Sequence, residues 1–139
     1  MTRPLLVDTH SHLTDPRFLG DFPAVVDRAR QAGLVGAMVV GTTAANSRGC
    51  IDLCAGQDWL FPTVGMHPCH LQDEPFEASW REVEEMAALP EVRALGETGL
   101  DNYWKEVPME LQREGLRRHL ELGRRLGKPV ILHCREAAE

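Results

Sequence analysis

The sequence has no Cys-x-x-Cys pair. Its four cysteines, Cys50, Cys54, Cys69 and Cys134, form no regular framework, which argues against a disulfide scaffold and favours reduced thiols in a cytoplasmic protein. Long apolar runs are also missing. The longest, Leu34 to Gly41, covers eight residues, which suits a buried strand and is far short of the ~20 needed to cross a bilayer. No secretory leader is expected, because strand-like residues follow Met1 within a few positions. There is no excess of positive charge. Fifteen basic against 21 acidic side chains give a formal net charge of −6, which excludes a general basic surface for nucleic acid. A phosphate polymer would have to be attracted by some other positive charge. What remains is 139 residues, 43% apolar and 26% charged, without low-complexity segments or a linker, enough for one globular core.

Apolar runs and helical periodicity alternate along the chain. Leu5–Val7 reads as a first strand. Phe22, Val25, Val26, Ala29 and Gly33 then follow the spacing of one helix face. Gly36–Gly41 reads as a second strand, Ala44–Ala55 as a weaker helix and Leu60–Val64 as a third strand. Phe76, Trp80, Val83 and Ala87 mark a third helix that stops before Pro90. Val92–Leu95 is the fourth strand. Pro108–Leu126 is the longest helix, with Leu116, Leu120, Gly123 and Leu126 as its expected inner face and Gly127 as its stop. Val130–Leu132 is the fifth strand. Continuous apolar strands between amphipathic helices predict a parallel sheet covered by helices. A closed eight-fold barrel needs ~250 residues. Spacing alone therefore leaves two architectures, a complete five-stranded doubly wound domain or the N-terminal part of a barrel.

The residues with chemical potential gather at the C-terminal ends of these strands, the edge where parallel α/β folds bind ligands. Asp8, His10 and His12 alternate at the end of the first strand, so both imidazoles face one side with a carboxylate behind them. Glu97, between Gly96 and Gly99, leaves the buried fourth strand, where a carboxylate must be paired or ligate a metal. His133 leaves the fifth strand, and Arg135 two residues later suits phosphate or carboxylate recognition. His67 reaches the same edge from the third strand as a substrate contact or a loop-stabilising group. Taken singly, each has an ordinary structural alternative: hydrogen-bonded strand-end histidines, a salt-bridged glutamate, a surface ion pair. His70 and Asp101 are weaker candidates. His119 reads as a plain helix residue, and Cys50 and Cys54 read as core.

Four segments in this order, VDTHSHL (Val7–Leu13), VGMHP (Val64–Pro68), ALGETGLDNYW (Ala94–Trp104) and KPVILHCREA (Lys128–Ala137), resemble the TatD family of metal-dependent hydrolases. The resemblance implies a TIM-like (β/α) barrel, present here as an N-terminal β-α-β-α-β-α-β-α-β portion forming a single domain over residues 1–139. It also implies a two-metal site at the mouth. By motif position His10 and His12 would bind the first metal, Glu97 would bridge both, and His133 would bind the second. His67 and Arg135 would lie near the substrate. A further histidine and the aspartate expected as general base would lie beyond Glu139, which suggests a truncated form.

The implied function is divalent-metal-dependent phosphodiester hydrolysis of DNA, with magnesium, manganese or zinc as the ions. No membrane and no obligate protein partner is implied. Amide or ester hydrolysis by a related metal site is the alternative, because hydroxide attack and carbonyl polarisation need similar parts. A non-catalytic fragment is the third reading.

Overall fold

Hydrophobic alternation translates directly into layers. The computed structural model describes residues 5–138. It runs β1 (Leu6–Ser11), α1 (Phe22–Gln31), β2 (Leu34–Val39), α2 (Ala44–Cys54), β3 (Leu60–Val64), α3 (Phe76–Ala87), β4 (Ala94–Asp101), α4 (Met109–Leu126) and β5 (Val130–Arg135), with short 3-10 turns at Pro16–Phe18 and Pro68–His70. All neighbouring strands pair in parallel, in the spatial order β1-β2-β3-β4-β5. That order decides between the two architectures. A doubly wound sheet reverses its strand order at a switch point, whereas here every crossover steps the same way. Right-handed crossovers that never reverse leave all helices on one side and curl the strands. The five strands are a half-barrel. Among the described residues no helix is long and apolar enough to cross a membrane.

The core lies between sheet and helices. Val64, Trp80, Val83, Leu95 and Leu122 form one cluster, and Val39, Cys50, Cys54, Trp59 and Leu60 a second. Central strands β3 and β4 are buried throughout most of their length, while the outer strands expose Leu6, Val7 and Leu132. All four cysteines are free, and Cys50 and Cys54 are core residues as expected. Burial pushes both of their thiol pKa values up to about 12, so they stay protonated.

Three strands run further than their apolar stretches. β1 extends to Ser11, β4 to Asp101 and β5 to Arg135. Thr98, Gly99, Leu100 and Asp101 pair with Leu132, His133, Cys134 and Arg135, and this backbone ladder forms whatever the side chains are. His10, Glu97, Asp101, His133 and Arg135 are therefore held on strand ends, while His12 and His67 lie just past β1 and β3. The inner face of α4 is only in part the expected one: Gly123 is buried and Leu126 packs on the core, but the face is turned toward polar positions. Gln112, Gly115, His119, Leu122 and Gly123 are buried, while Leu120 is exposed. Gln112 bonds the backbone of Asp101 and Val107, so a polar residue occupies a position that a hydrophobic pattern cannot reveal.

Glycine is required where β4 meets β5. Gly99 has φ +149°, and a Cβ there would overlap the carbonyl oxygen of His133. Gly99→Ala is expected to lower stability by about 2 kcal/mol or more, as strain at a special backbone position does. Urea denaturation checks this, and an unchanged midpoint would contradict the close approach.

Candidate metal centre

The strand ends deliver six side chains to one place. Glu97 sits at an irregular point of β4, where the register with β5 shifts between Leu95 and Thr98. Its backbone is fixed on both sides. The Glu97 N–H donates to the Gly41 carbonyl at 2.7 Å, and the Thr63 hydroxyl donates to the Gly96 carbonyl at 2.5 Å. On β1, Ser11 donates to the Met38 carbonyl, and the Asp8 carboxylate accepts from the His10 N–H. These bonds set the direction in which His10 and His12 leave the sheet.

The Glu97 carboxylate, only 5% exposed, faces two separate sets of imidazoles. Its Oε2 lies 3.1 Å from His10 Nε2 and 3.5 Å from His12 Nε2, and those two nitrogens are 3.3 Å apart. Its Oε1 lies 3.1 Å from His133 Nδ1 and 3.9 Å from His67 Nε2. Two groups of donor atoms result, His10–His12–Glu97 and His67–Glu97–His133, with Glu97 common to both. Ligands about 2.1 Å from one ion and at right angles stand about 3 Å apart, so these separations fit cation coordination.

Tautomers assigned from the hydrogen-bond pattern sharpen the roles. Asp101 Oδ2 lies 2.8 Å from His133 Nε2 and accepts its proton, which leaves the Nδ1 lone pair directed at the cluster. A carboxylate that orients a ligating histidine in this way is a common feature of metal sites. The carboxylate placed to orient a histidine in this way is Asp101, one of the weaker sequence candidates. His67 is different. Its Nδ1 accepts from the Cys69 N–H at 3.1 Å, so the neutral ring carries its proton on Nε2 and donates toward His133 Nδ1 at 3.2 Å. In that state His67 is a proton donor at the site. Arg135 lies at the exposed end of β5 beside the same cavity, and His70 pairs with Asp73 at the rim.

The electrostatics follow from burial against charge. Burial pushes the Glu97 pKa up, but the His12 contact and the charges of His67, His10 and His133 outweigh it and hold the carboxyl at about 2. The contact with Glu97 raises His12 against the opposing effect of burial. Burial lowers His67 to about 4, which keeps it neutral near pH 7. A carboxylate held in its charged form beside several imidazole nitrogens is a donor set suited to divalent cations.

His119 is the residue that sequence reasoning missed. It is fully buried in α4, with Nδ1 2.7 Å from the Gly115 carbonyl, to which it donates, and Nε2 accepting from the Met66 N–H at 3.2 Å. It thus holds the backbone immediately before His67. A histidine at position i+4 from a helical glycine gives no hydrophobic signal. The available clue was its place between Gly115 and Leu122 on the face that meets the sheet.

A parallel half-barrel with a carboxylate between two histidine sets at its C-terminal mouth defines the class, a (β/α) barrel with a candidate metal centre at that mouth. The family model for TatD related DNase matches residues 7–139, and the chain belongs to that family. It is 39% identical over 133 residues to a protein of Edwardsiella piscicida named 3'-5' ssDNA/RNA exonuclease TatD, covering 95% of this chain and 51% of that one. It is 30% identical over 136 residues to the uncharacterized metal-dependent hydrolase YabD of Bacillus subtilis, covering 97% of this chain and 52% of that protein. The crystal structure of YJJV, a TatD homologue from Escherichia coli, superposes with a TM-score of 0.86 at 34% identity, covering 94% of this chain and 51% of that one. The chain spans about half the length of the relatives it matches.

Burial also lowers the His119 pKa to about 4, against about 6.5 for a free imidazole. The unfolded chain then binds more protons than the folded one between these values. Stability is complete above pH 6.5 and is lost as pH falls toward 4, by an amount on the order of 3 kcal/mol for this residue. His67 contributes over the same window. Urea midpoints measured from pH 7 to 4 should fall, and His119→Gln should flatten that slope by about half. An unchanged slope would contradict the buried neutral imidazole.

Proposed function

We propose that residues 1–139 are the N-terminal half of one barrel domain, and that the whole protein is a divalent-metal-dependent phosphodiesterase acting on nucleic acid, with single-stranded DNA as substrate. The observation that carries this reading is the pair of Glu97 oxygens directed at two different histidine sets. His10, His12 and Glu97 would hold one ion, and Glu97 with His133 the second. When bound, two such ions supply a lowered pKa for a coordinated water, charge stabilisation of a phosphate and positive potential in an acidic protein.

The chain's own residues have separable tasks. Asp101 keeps the His133 Nδ1 lone pair toward the cluster. His67 presents Nε2–H where a non-bridging phosphate oxygen would lie, a bond that strengthens as negative charge develops there. Arg135 offers paired N–H donors to a phosphate from the rim. The relatives named as exonuclease and as metal-dependent hydrolase support nucleic acid and metal respectively.

Manganese titration of the chain by calorimetry tests the metal part. Weak but measurable binding is expected, and Glu97→Gln should reduce the affinity roughly tenfold or more. Equal affinity in the variant would reject the assignment. Residues 1–139 alone should hydrolyse little, and any metal-dependent activity should fall on single-stranded DNA. Faster turnover of small esters or amides would favour the amide or ester hydrolase reading instead.

A further inference from the structure

Immediately after β4 the chain makes a tight turn that puts two aromatic rings on the surface. Tyr103 is 47% and Trp104 49% exposed, and their rings pack edge to face with centroids 4.9 Å apart. The other two tryptophans, Trp59 and Trp80, are buried in the core. Both rings stand outside the core formed by the described residues, and the turn that carries them is firmly fixed. Asp101 Oδ1 accepts from the Tyr103 N–H at 2.9 Å and from the Trp104 N–H at 2.8 Å, and the Asn102 N–H donates to the Arg135 carbonyl at 2.9 Å. The guanidinium of Arg135 lies over the Tyr103 ring, 3.7 Å from its centroid, and 5.8 Å from that of Trp104.

The same carboxylate that pins this turn holds His133 through its other oxygen. Trp104 and Arg135 share a cavity of ≈ 570 Å³ with His67 and His133. Among the described residues on that cavity wall, Arg135 is the one arginine or lysine, and the wall also carries Asp73, Asp101 and Glu106. The wall therefore offers a cation for one phosphate and not a track for a long polyanion. A flat aromatic and guanidinium surface beside a single phosphate contact matches a nucleotide at a strand end. Every base has a π-face, so such a surface tolerates any sequence.

We propose that Tyr103, Trp104 and Arg135 form a stacking platform that holds a nucleobase at the end of a single strand beside the histidine–carboxylate cluster, a proposal that rests on the nucleic-acid reading above. The base lies against the aromatic pair, and Arg135 takes the adjoining phosphate. His67 and His133, which line the same cavity, then receive the next phosphodiester.

Fluorescence anisotropy with labelled oligothymidylate, against an abasic oligomer of equal length, tests this in EDTA so that nothing is cleaved. The base-bearing strand should bind the chain roughly tenfold more tightly than the abasic one. Trp104→Ala should erase that preference, and Trp104→Phe should keep most of it, with thermal midpoints unchanged because the ring is half exposed. Equal affinity for the two oligomers, a preference that survives Trp104→Ala, or no binding of either would overturn the platform. Base preference without manganese binding at Glu97 would leave the platform standing and remove the metal reading. Manganese binding without base preference would do the reverse.

Discussion

Everything at the mouth of this half-barrel is organised around a carboxylate that is buried and yet charged. Glu97 is lodged where β4 loses regular register, and four imidazoles surround its two oxygens. Burying a carboxylate without compensation would be very costly, and the surrounding rings compensate only because three strands end at the same level. The site is therefore a consequence of parallel pairing. β1 supplies His10, with His12 one residue past its end, β4 supplies Glu97, β5 supplies His133, and His67 follows β3. A shift of one residue in any strand would turn its side chain to the other face of the sheet.

Close backbone approach is what holds those strands in place. A Cβ at Gly99 would collide with His133, and one at Gly65 would lie 2.6 Å from the Cα of Gly96. These glycines bring β3, β4 and β5 nearer at their C-terminal ends than side chains would permit. The supporting polar bonds are equally local. Gln112 and His119, both buried in α4, bond the backbone at Asp101 and at Met66, one on each side of the cluster. The helix thus positions the site through two polar residues set within its apolar seam.

Much of this was legible beforehand for a physical reason. The apolar runs are strands because burial selects them, and β3 and α3 end where the pattern of apolar residues and Pro90 predicts. His10, His12, Glu97 and His133 stood out because a charged or imidazole side chain leaving a buried strand needs a partner. The illegible part consists of interactions that leave no hydrophobic trace. Backbone pairing carried β4 six residues past its apolar segment, to Asp101. The inner face of α4 was only partly found, with Gly123 and Leu126 right and Leu120 exposed, because His119 and Gln112 on that face are polar. The part played by Asp101 was hidden because it depends on which oxygen meets which ring, and no sequence spacing encodes that. Strand order, which separates a half-barrel from a doubly wound sheet, is likewise a property of the assembled sheet.

The proposed function requires two cation positions, one at each oxygen of Glu97. Anomalous diffraction from crystals of the chain equilibrated with manganese tests it most directly. One peak between Glu97 and the His10–His12 pair and another between Glu97 and His133 are expected. Manganese bound elsewhere, with no peak within coordination distance of either Glu97 oxygen, would contradict that requirement.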